Sequence, residues 1–262
     1  MTNSKRHLLL VLGIITCLAN PLAAFAQTAL DTIIKAKLIR IGVPVDVPPF
    51  GFVGADMQPQ GLDIDVAKLV AQKLGVKAEL MPVVSANRIP ALQTKKIDLI
   101  VSTLGKNEER MKIINFTHAY APGGLGLFAN KDVVIKSFAD LAGKSVAVAR
   151  GAMEDELVTQ AAPPSTIIKR FEDQAATKAA FTSGQTQAIG TTLPGGAVIA
   201  QRQSSVELKL PLRESPAFMG VAKGEDALLA KINEIVLAAK ADGTLNRLSQ
   251  KWLKRDAGEL PL

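Results

Sequence analysis

The sequence predicts an α/β protein built as two lobes. Three observations carry that reading. Strand-like and helix-like runs alternate through the first half, the alternation repeats in the second, and a Pro/Gly break at Ala121-Pro122-Gly123-Gly124 separates the two. Each half holds about 100 residues, an ordinary domain size. The 262 residues are 48% hydrophobic and 21% charged, which supplies real cores and excludes a disordered or fibrous chain.

The first 26 residues read as an export signal rather than as part of the fold. Lys5 and Arg6 form a basic start, an apolar run extends from Leu8 to Leu18, and Ala24-Phe25-Ala26 is a small-x-small cleavage site before Gln27. Asn20 and Pro21 cut the run below the length of a membrane-spanning helix. Cys17, the one cysteine, lies inside this segment, and Ile14-Ile15-Thr16 before it is a poor lipoprotein site. Cleavage after Ala26 is therefore expected to leave a soluble, exported, cysteine-free chain without disulfides or cysteine-based zinc sites.

The elements follow in order. Leu38–Val43 reads as the first strand, followed by a Pro/Gly-rich loop from Pro44 through Pro48-Pro49-Phe50-Gly51-Phe52. Asp63 is placed to cap a helix whose apolar face is Val66, Leu69, Val70 and Leu74, closed by Gly75. Residues 76–83 read as a strand, Ser85 as the start of a short helix, and Asp98–Val101 as a buried strand. In the second half, Ser145–Ala149 is a strand, a helix follows Gly151, Ile167–Ile168 is a short strand and residues 173–182 are a helix. Leu228, Leu229, Ile232, Ile235, Val236 and Ala239 line one helical face that stops at Gly243, with a last helix from Leu245 to Leu253.

Charge and motifs narrow the function. The formal charge of +7 falls to +5 when Lys5 and Arg6 are removed, which suits an ordinary basic surface or an anionic ligand. No Lys/Arg run interleaved with aromatics points to nucleic acid. After residue 26, His118 is the one histidine, so no histidine zinc site forms, and no G-x-S-x-G elbow accompanies it for nucleophilic catalysis. His118 itself suits a surface or hinge position. Gly143-Lys144-Ser145 resembles the end of a phosphate loop, but Phe138 stands where its first glycine belongs, leaving a turn before a strand. Neither a cofactor nor a metal is implied. What remains is a binding constellation. Ser102, Thr103 and Gly105 follow the end of a predicted parallel strand, where open α/β sheets hold ligands, and Arg110 follows in Glu108-Glu109-Arg110. Hydroxyls, backbone N–H groups and a planar guanidinium fork suit a carboxylate; an Arg after two glutamates equally suits a surface ion pair.

Taken together, several segments resemble family 3 of the solute-binding proteins, those of polar amino acid ABC transporters. They are Leu38–Val43, Pro48-Pro49-Phe50, Gly61-Leu62-Asp63-Ile64-Asp65-Val66-Ala67, Asn87-Arg88-Ile89-Pro90-Ala91-Leu92 and Lys96-Ile97-Asp98-Leu99-Ile100. Glu109-Arg110, Leu141–Val148, Asp242-Gly243-Thr244-Leu245 and Lys251-Trp252-Leu253 continue the match through nearly all of the exported chain. The resemblance implies a type II periplasmic binding protein fold: two mainly parallel sheets flanked by helices, with a ligand cleft between the lobes. It divides the chain into a first lobe of residues 27–121 plus 217–262 and a second of 122–216, with the C-terminal helices packed back on the first. It also implies a periplasmic, monomeric protein that closes on a small carboxylate-bearing ligand, an amino acid or a dicarboxylate, and docks on a membrane permease.

By the same resemblance, Arg110 would clamp the ligand carboxylate beside Ser102, Thr103 and Gly105. The loop Gly151-Ala152-Met153 would close from the second lobe, and Phe50 or Phe52 would give an apolar wall. The run from Ser85 through Arg88 to Pro90 is similar to glutamate/aspartate-binding members, so Arg88 and Ser85 would face the ligand and a second carboxylate is favoured; an exposed first-turn Arg88 is the alternative. Two departures from the family stand out. Gln187 and Thr192 stand where acidic residues are usual, the second being the partner of the ligand ammonium, and Ala152 and Met153 replace a threonine. Glu154, Asp155 or Glu214 would then substitute, or the ligand lacks the ammonium. An exported enzyme of cyclohexadienyl dehydratase type and a soluble ligand-sensing module are the alternatives to transport; a non-enzyme is expected.

Overall fold

A computed structural model describes residues 28–262, so the expected export segment with Cys17 lies outside the described residues. Helix α1 (Ala29–Ala36) opens on a Thr28–Asp31 capping box and leads into β1 (Leu38–Val43). A small antiparallel sheet follows, made of β2 (Asp46–Val47), β3 (Gly51–Val53) and β4 (Pro59–Gln60). Then come α2 (Leu62–Leu74), β5 (Lys77–Pro82), α3 (Arg88–Gln93), β6 (Leu99–Leu104), α4 (Glu108–Ile113) and β7 (Ile114–Ala121). The second run is β8 (Gly124–Asn130), β9 (Ser145–Ala149), α5 (Met153–Ala161), β10 (Ile167–Phe171), α6 (Gln174–Thr182), β11 (Ala188–Thr192), α7 (Leu193–Arg202) and β12 (Val206–Glu214). It ends with β13 (Ala217–Ala222), α8 (Asp226–Ala241) and α9 (Thr244–Leu253).

The strands form two five-stranded sheets of the same design, ordered β5-β1-β6-β13-β7 and β10-β9-β11-β8-β12. In the first, β5, β1 and β6 run parallel, β13 runs against β6, and β7 runs against β13. In the second, β10, β9 and β11 run parallel and β8 opposes both β11 and β12. Four of five strands in each sheet thus share a direction, and the reversed strand is the one that enters from the other sheet. The chain passes between sheets twice, from β7 to β8 and from β12 to β13. Helices α8 and α9 pack on the first sheet's side, where Ile232, Ile235, Val236 and Leu245 share a core with Ile39, Ile41 and Val70, and Trp252 donates to Asp65 (2.8 Å). No helix among the described residues is long and apolar enough to cross a membrane.

Two local expectations change. Helix α2 begins at Leu62 after Gly61, and Asp63 does not cap it: its carboxylate is buried. Helix α3 is entered through Asn87, with Ser85 in the preceding turn. Helix α7 gave no periodic signal because Pro194-Gly195-Gly196 reads as a break. Proline is tolerated in the first turn, and Gly196 lies so close to the Phe128 ring that no side chain fits between them. Gly196→Ala, which raises helix propensity, is therefore expected to destabilise the fold by about 1–3 kcal/mol through overpacking, read as a lower urea midpoint.

Candidate functional site

The loops after the parallel strands of both sheets face each other across a cleft of about 670 Å³, counted to its mouth. From the first sheet's side come Asp46, Phe50, Val83, Val84, Ser85, Arg88, Ser102 and Thr103; from the second come Leu125, Ala152, Met153, Glu154, Gln174 and Thr192. The apolar members make most of the wall, and the charged ones decide its chemistry.

Arg88 is buried at the start of α3 and donates from Nη1 to the Ser102 carbonyl at 2.7 Å. It forms no ion pair among the described residues. Burial, and then the like charge of Arg110, push it down to about 9, opposed by the charges of Glu154 and Glu156; it remains a cation at neutral pH. Across the cleft, Glu154 is equally buried in the first turn of α5, and its Oε1 has no hydrogen-bond partner. Burial raises its pKa, opposed by its own backbone N–H and by the charges of Arg88 and Arg110. A buried cation without a counter-charge and a buried carboxyl oxygen without a donor are both costly, and both belong to residues that line the cleft.

Thr103 lines the cleft with a left-handed backbone, φ +40, unusual for a β-branched residue. Asp63 holds it there: Oδ2 accepts from the Thr103 N–H (2.8 Å) while Oδ1 accepts from the Tyr120 hydroxyl (2.8 Å). Burial lifts Asp63 to about 7 against these hydrogen bonds and the Arg88 charge.

Two polar seams join residues from the two sides of the cleft. Asp46 accepts from the backbone N–H groups of Gln174 (2.7 Å) and Ala175 (3.3 Å), at the N-terminus of α6. In the second seam, Arg110 donates to the carbonyls of Gly105 (3.0 Å) and Gly151 (3.1 Å) and to Glu156 (2.6 Å), which also accepts from Asn107 (2.6 Å). Gly151 has φ +71, and a Cβ there would stand 3.1 Å from the Ala86 Cα, so only glycine allows this approach.

Most of the residues singled out in the sequence meet in this cleft: Arg88, Ser85, Ser102, Thr103, Phe50, Ala152, Met153 and Thr192. Arg88 is buried rather than exposed on its helix. Four do not line it. Arg110 is turned into the seam with Glu156, Gly105 and Gly151 beside it as described, and Phe52 packs edge-on against Trp252, 6.0 Å between ring centres. The Thr192 hydroxyl accepts from the Gly195 N–H and caps α7. Of the three acids weighed as ammonium partners, Glu154 reaches the cleft, Asp155 pairs with Arg170 (2.7 Å) and Glu214 is exposed. No local pattern in the sequence points to Asn107, Glu156, Asp46 or Gln174. Among the described residues no group of three or more His, Cys, Asp or Glu side chains could hold a metal.

The model of the bacterial extracellular solute-binding proteins, family 3, matches residues 39–255. An ABC transporter glutamine-binding protein of Bacillus subtilis is 32% identical over 245 residues, covering 90% of this chain and 89% of its own. The crystal structure of a solute receptor for L-cysteine of Neisseria gonorrhoeae superposes with a TM-score of 0.83 at 28% identity, over 89% of this chain and 99% of its own. That of an ancestral amino acid-binding protein, described as a precursor of cyclohexadienyl dehydratase, gives 0.79 at 34% identity, over 85% and 98%.

The pKa of Asp63 sets a pH dependence. Between about pH 4 and pH 7 the folded state keeps a proton on Asp63 that the unfolded chain has released, so stability is highest at the acid end and falls as pH rises through the folded value. Glu154 acts in the same sense. The melting temperature is expected to drop from about pH 5 to about pH 8, by on the order of 3 kcal/mol in stability, with a visibly flatter profile for Asp63→Asn.

Proposed function

The chain belongs to the bacterial extracellular solute-binding proteins, family 3, and from that premise we propose that it is the ligand-capturing component of an ABC importer, specific for a small α-amino acid. The observation that carries this reading is the opposition of Arg88 and Glu154, two buried charges of opposite sign with incomplete partners in one cleft. The ligand carboxylate goes to the Arg88 guanidinium and its ammonium to Glu154, which takes over from the acid that Thr192 replaces. Residues 27–121 with 217–262 form one lobe and 122–216 the other, hinged at the two crossings. Export to the periplasm follows removal of residues 1–26, and the closed monomer docks on the membrane permease.

A dicarboxylate suits this cleft less well than two free arginines would suggest. The Arg110 fork is filled by Glu156, so a second carboxylate would meet Glu154 without a counter-cation. Glutamine and cysteine, the ligands of the relatives above, are the natural first probes, with glutamate and 2-oxoglutarate as the pair that differs at the amine.

One feature favours a second reading as an enzyme. A buried carboxyl with a raised pKa, such as Glu154, is equipped to protonate a leaving hydroxyl, and one structural relative is a precursor of cyclohexadienyl dehydratase. We favour binding; incubation with prephenate and arogenate should return both unchanged, and turnover abolished by Glu154→Gln would establish the enzyme instead.

Calorimetry on refolded, ligand-stripped protein tests the binding reading. An α-amino acid should bind, and 2-oxoglutarate should bind at least tenfold more weakly than glutamate. Arg88→Ala should weaken the amino acid by about 100-fold or more, and Glu154→Gln by about 10- to 100-fold, the range for removing one partner of a buried charge pair. Preference for 2-oxoglutarate over every amino acid tried, or indifference to Glu154→Gln, contradicts it.

A further inference from the structure

Asp63, the second residue of α2, is fully buried. Its Oδ2 accepts from the Thr103 N–H and its Oδ1 from the Tyr120 hydroxyl, both at 2.8 Å, and the Tyr120 oxygen accepts from the same Thr103 N–H at 3.2 Å. The other end of that peptide unit, the Ser102 carbonyl, accepts from Arg88 Nη1 at 2.7 Å. A trans peptide points its N–H and C=O in opposite directions, so one planar group spans from a buried carboxylate to a buried guanidinium. Its dipole has the positive end on Asp63 and the negative end on Arg88, the favourable sense at both. The orientation carries a backbone cost, since Thr103 sits at φ +40, which a β-branched residue rarely adopts. Half a turn of the peptide would bring that φ to about −140°, ordinary extended backbone, and would break both hydrogen bonds.

We propose that Asp63 is a positioning residue for ligand binding: it fixes the Ser102–Thr103 peptide and, through it, two features of the cleft wall, the Arg88 guanidinium and the Thr103 turn. Asp63 stands behind that wall rather than in it, and Tyr120 steadies its carboxylate from β7. Without Asp63, the strain at Thr103 favours the turned-over peptide, the Ser102 carbonyl leaves Arg88, and the guanidinium loses the acceptor that aims it. Strands β6 and β7 belong to the first sheet and α2 and α3 pack against it, so the device is complete on one side of the cleft. This inference rests on the reading of the cleft as an amino acid site, and its test is arranged to fail separately from that reading.

Calorimetry at about pH 8, where Asp63 is charged, uses whichever of glutamine, cysteine and glutamate the wild-type protein binds most tightly. Asp63→Ala should weaken that ligand about tenfold, through a smaller population of the binding-competent peptide. Asp63→Asn, which keeps an acceptor for the Thr103 N–H, should lose clearly less. In a Thr103→Gly background φ +40 carries no strain and Arg88 alone orients the peptide, so there Asp63→Ala should cost less than about threefold. A merely structural Asp63 would cost the same in both backgrounds. Asp63→Leu, with the same branching and no acceptor, serves in every comparison if Asp63→Ala does not fold. A crystal structure of the same variant without ligand should show the Ser102 carbonyl turned away from Arg88 and Thr103 at negative φ. Equal losses in the two backgrounds overturn the proposal, and so does an unturned peptide in that crystal. A wild-type protein that binds none of the three amino acids would instead remove the reading beneath it, and the crystal then decides the positioning by itself.

Discussion

A buried arginine without a carboxylate is the constraint on which the rest of this site depends. Arg88 has five N–H donors and gives one of them to the Ser102 carbonyl. Sequestering such a cation from water costs several kcal/mol unless a counter-charge arrives. The cleft places its own candidate, Glu154, on the opposite wall and too far away to form a salt bridge. A solute with one charge of each sign between them satisfies both, whereas a solute of single sign satisfies one and crowds the other. On the proposed function, ligand capture and selectivity share one electrostatic origin.

The fold brings those two groups together through strands that change sheets. Each sheet contributes parallel strands whose following loops face the cleft, and each receives one reversed strand from the other, so the crossings lie beside the ligand space rather than at the ends of the molecule. Gly123, Gly124, Ser215 and Ala217 line the cavity at those crossings. Behind the wall, Asp63 and Tyr120 hold Thr103 in its left-handed turn, and the site thereby stores some backbone strain against buried hydrogen bonds. The seams at Asp46 and Glu156 both work by offering a carboxylate to donors from the opposite side of the cleft.

Much of this was legible in the sequence where periodicity is strong. Val66, Val70 and Leu74 on α2, and Leu228, Ile232 and Ile235 on α8, announce buried helical faces that the structure packs into one core. Helix α7 was not, because a Pro-Gly-Gly start reads as a loop until Phe128 explains the need for Gly196. Within the cleft, Arg88, Thr103, Met153 and Thr192 could be picked out by their place in the family pattern. The fate of Arg110 could not, since its partner Glu156 lies 46 residues away and no local spacing reports that contact. The choice among Glu154, Asp155 and Glu156 is likewise a matter of helical phase, which neighbouring identical charges in a sequence do not disclose.

The most direct test is a crystal structure of the protein with the amino acid that gives the largest thermal shift among the twenty common ones. The ligand carboxylate should lie within hydrogen-bond distance of the Arg88 guanidinium and its ammonium on Glu154, with Glu156 still paired with Arg110. A ligand carboxylate seated on Arg110, with Glu156 displaced and Arg88 untouched, would contradict it.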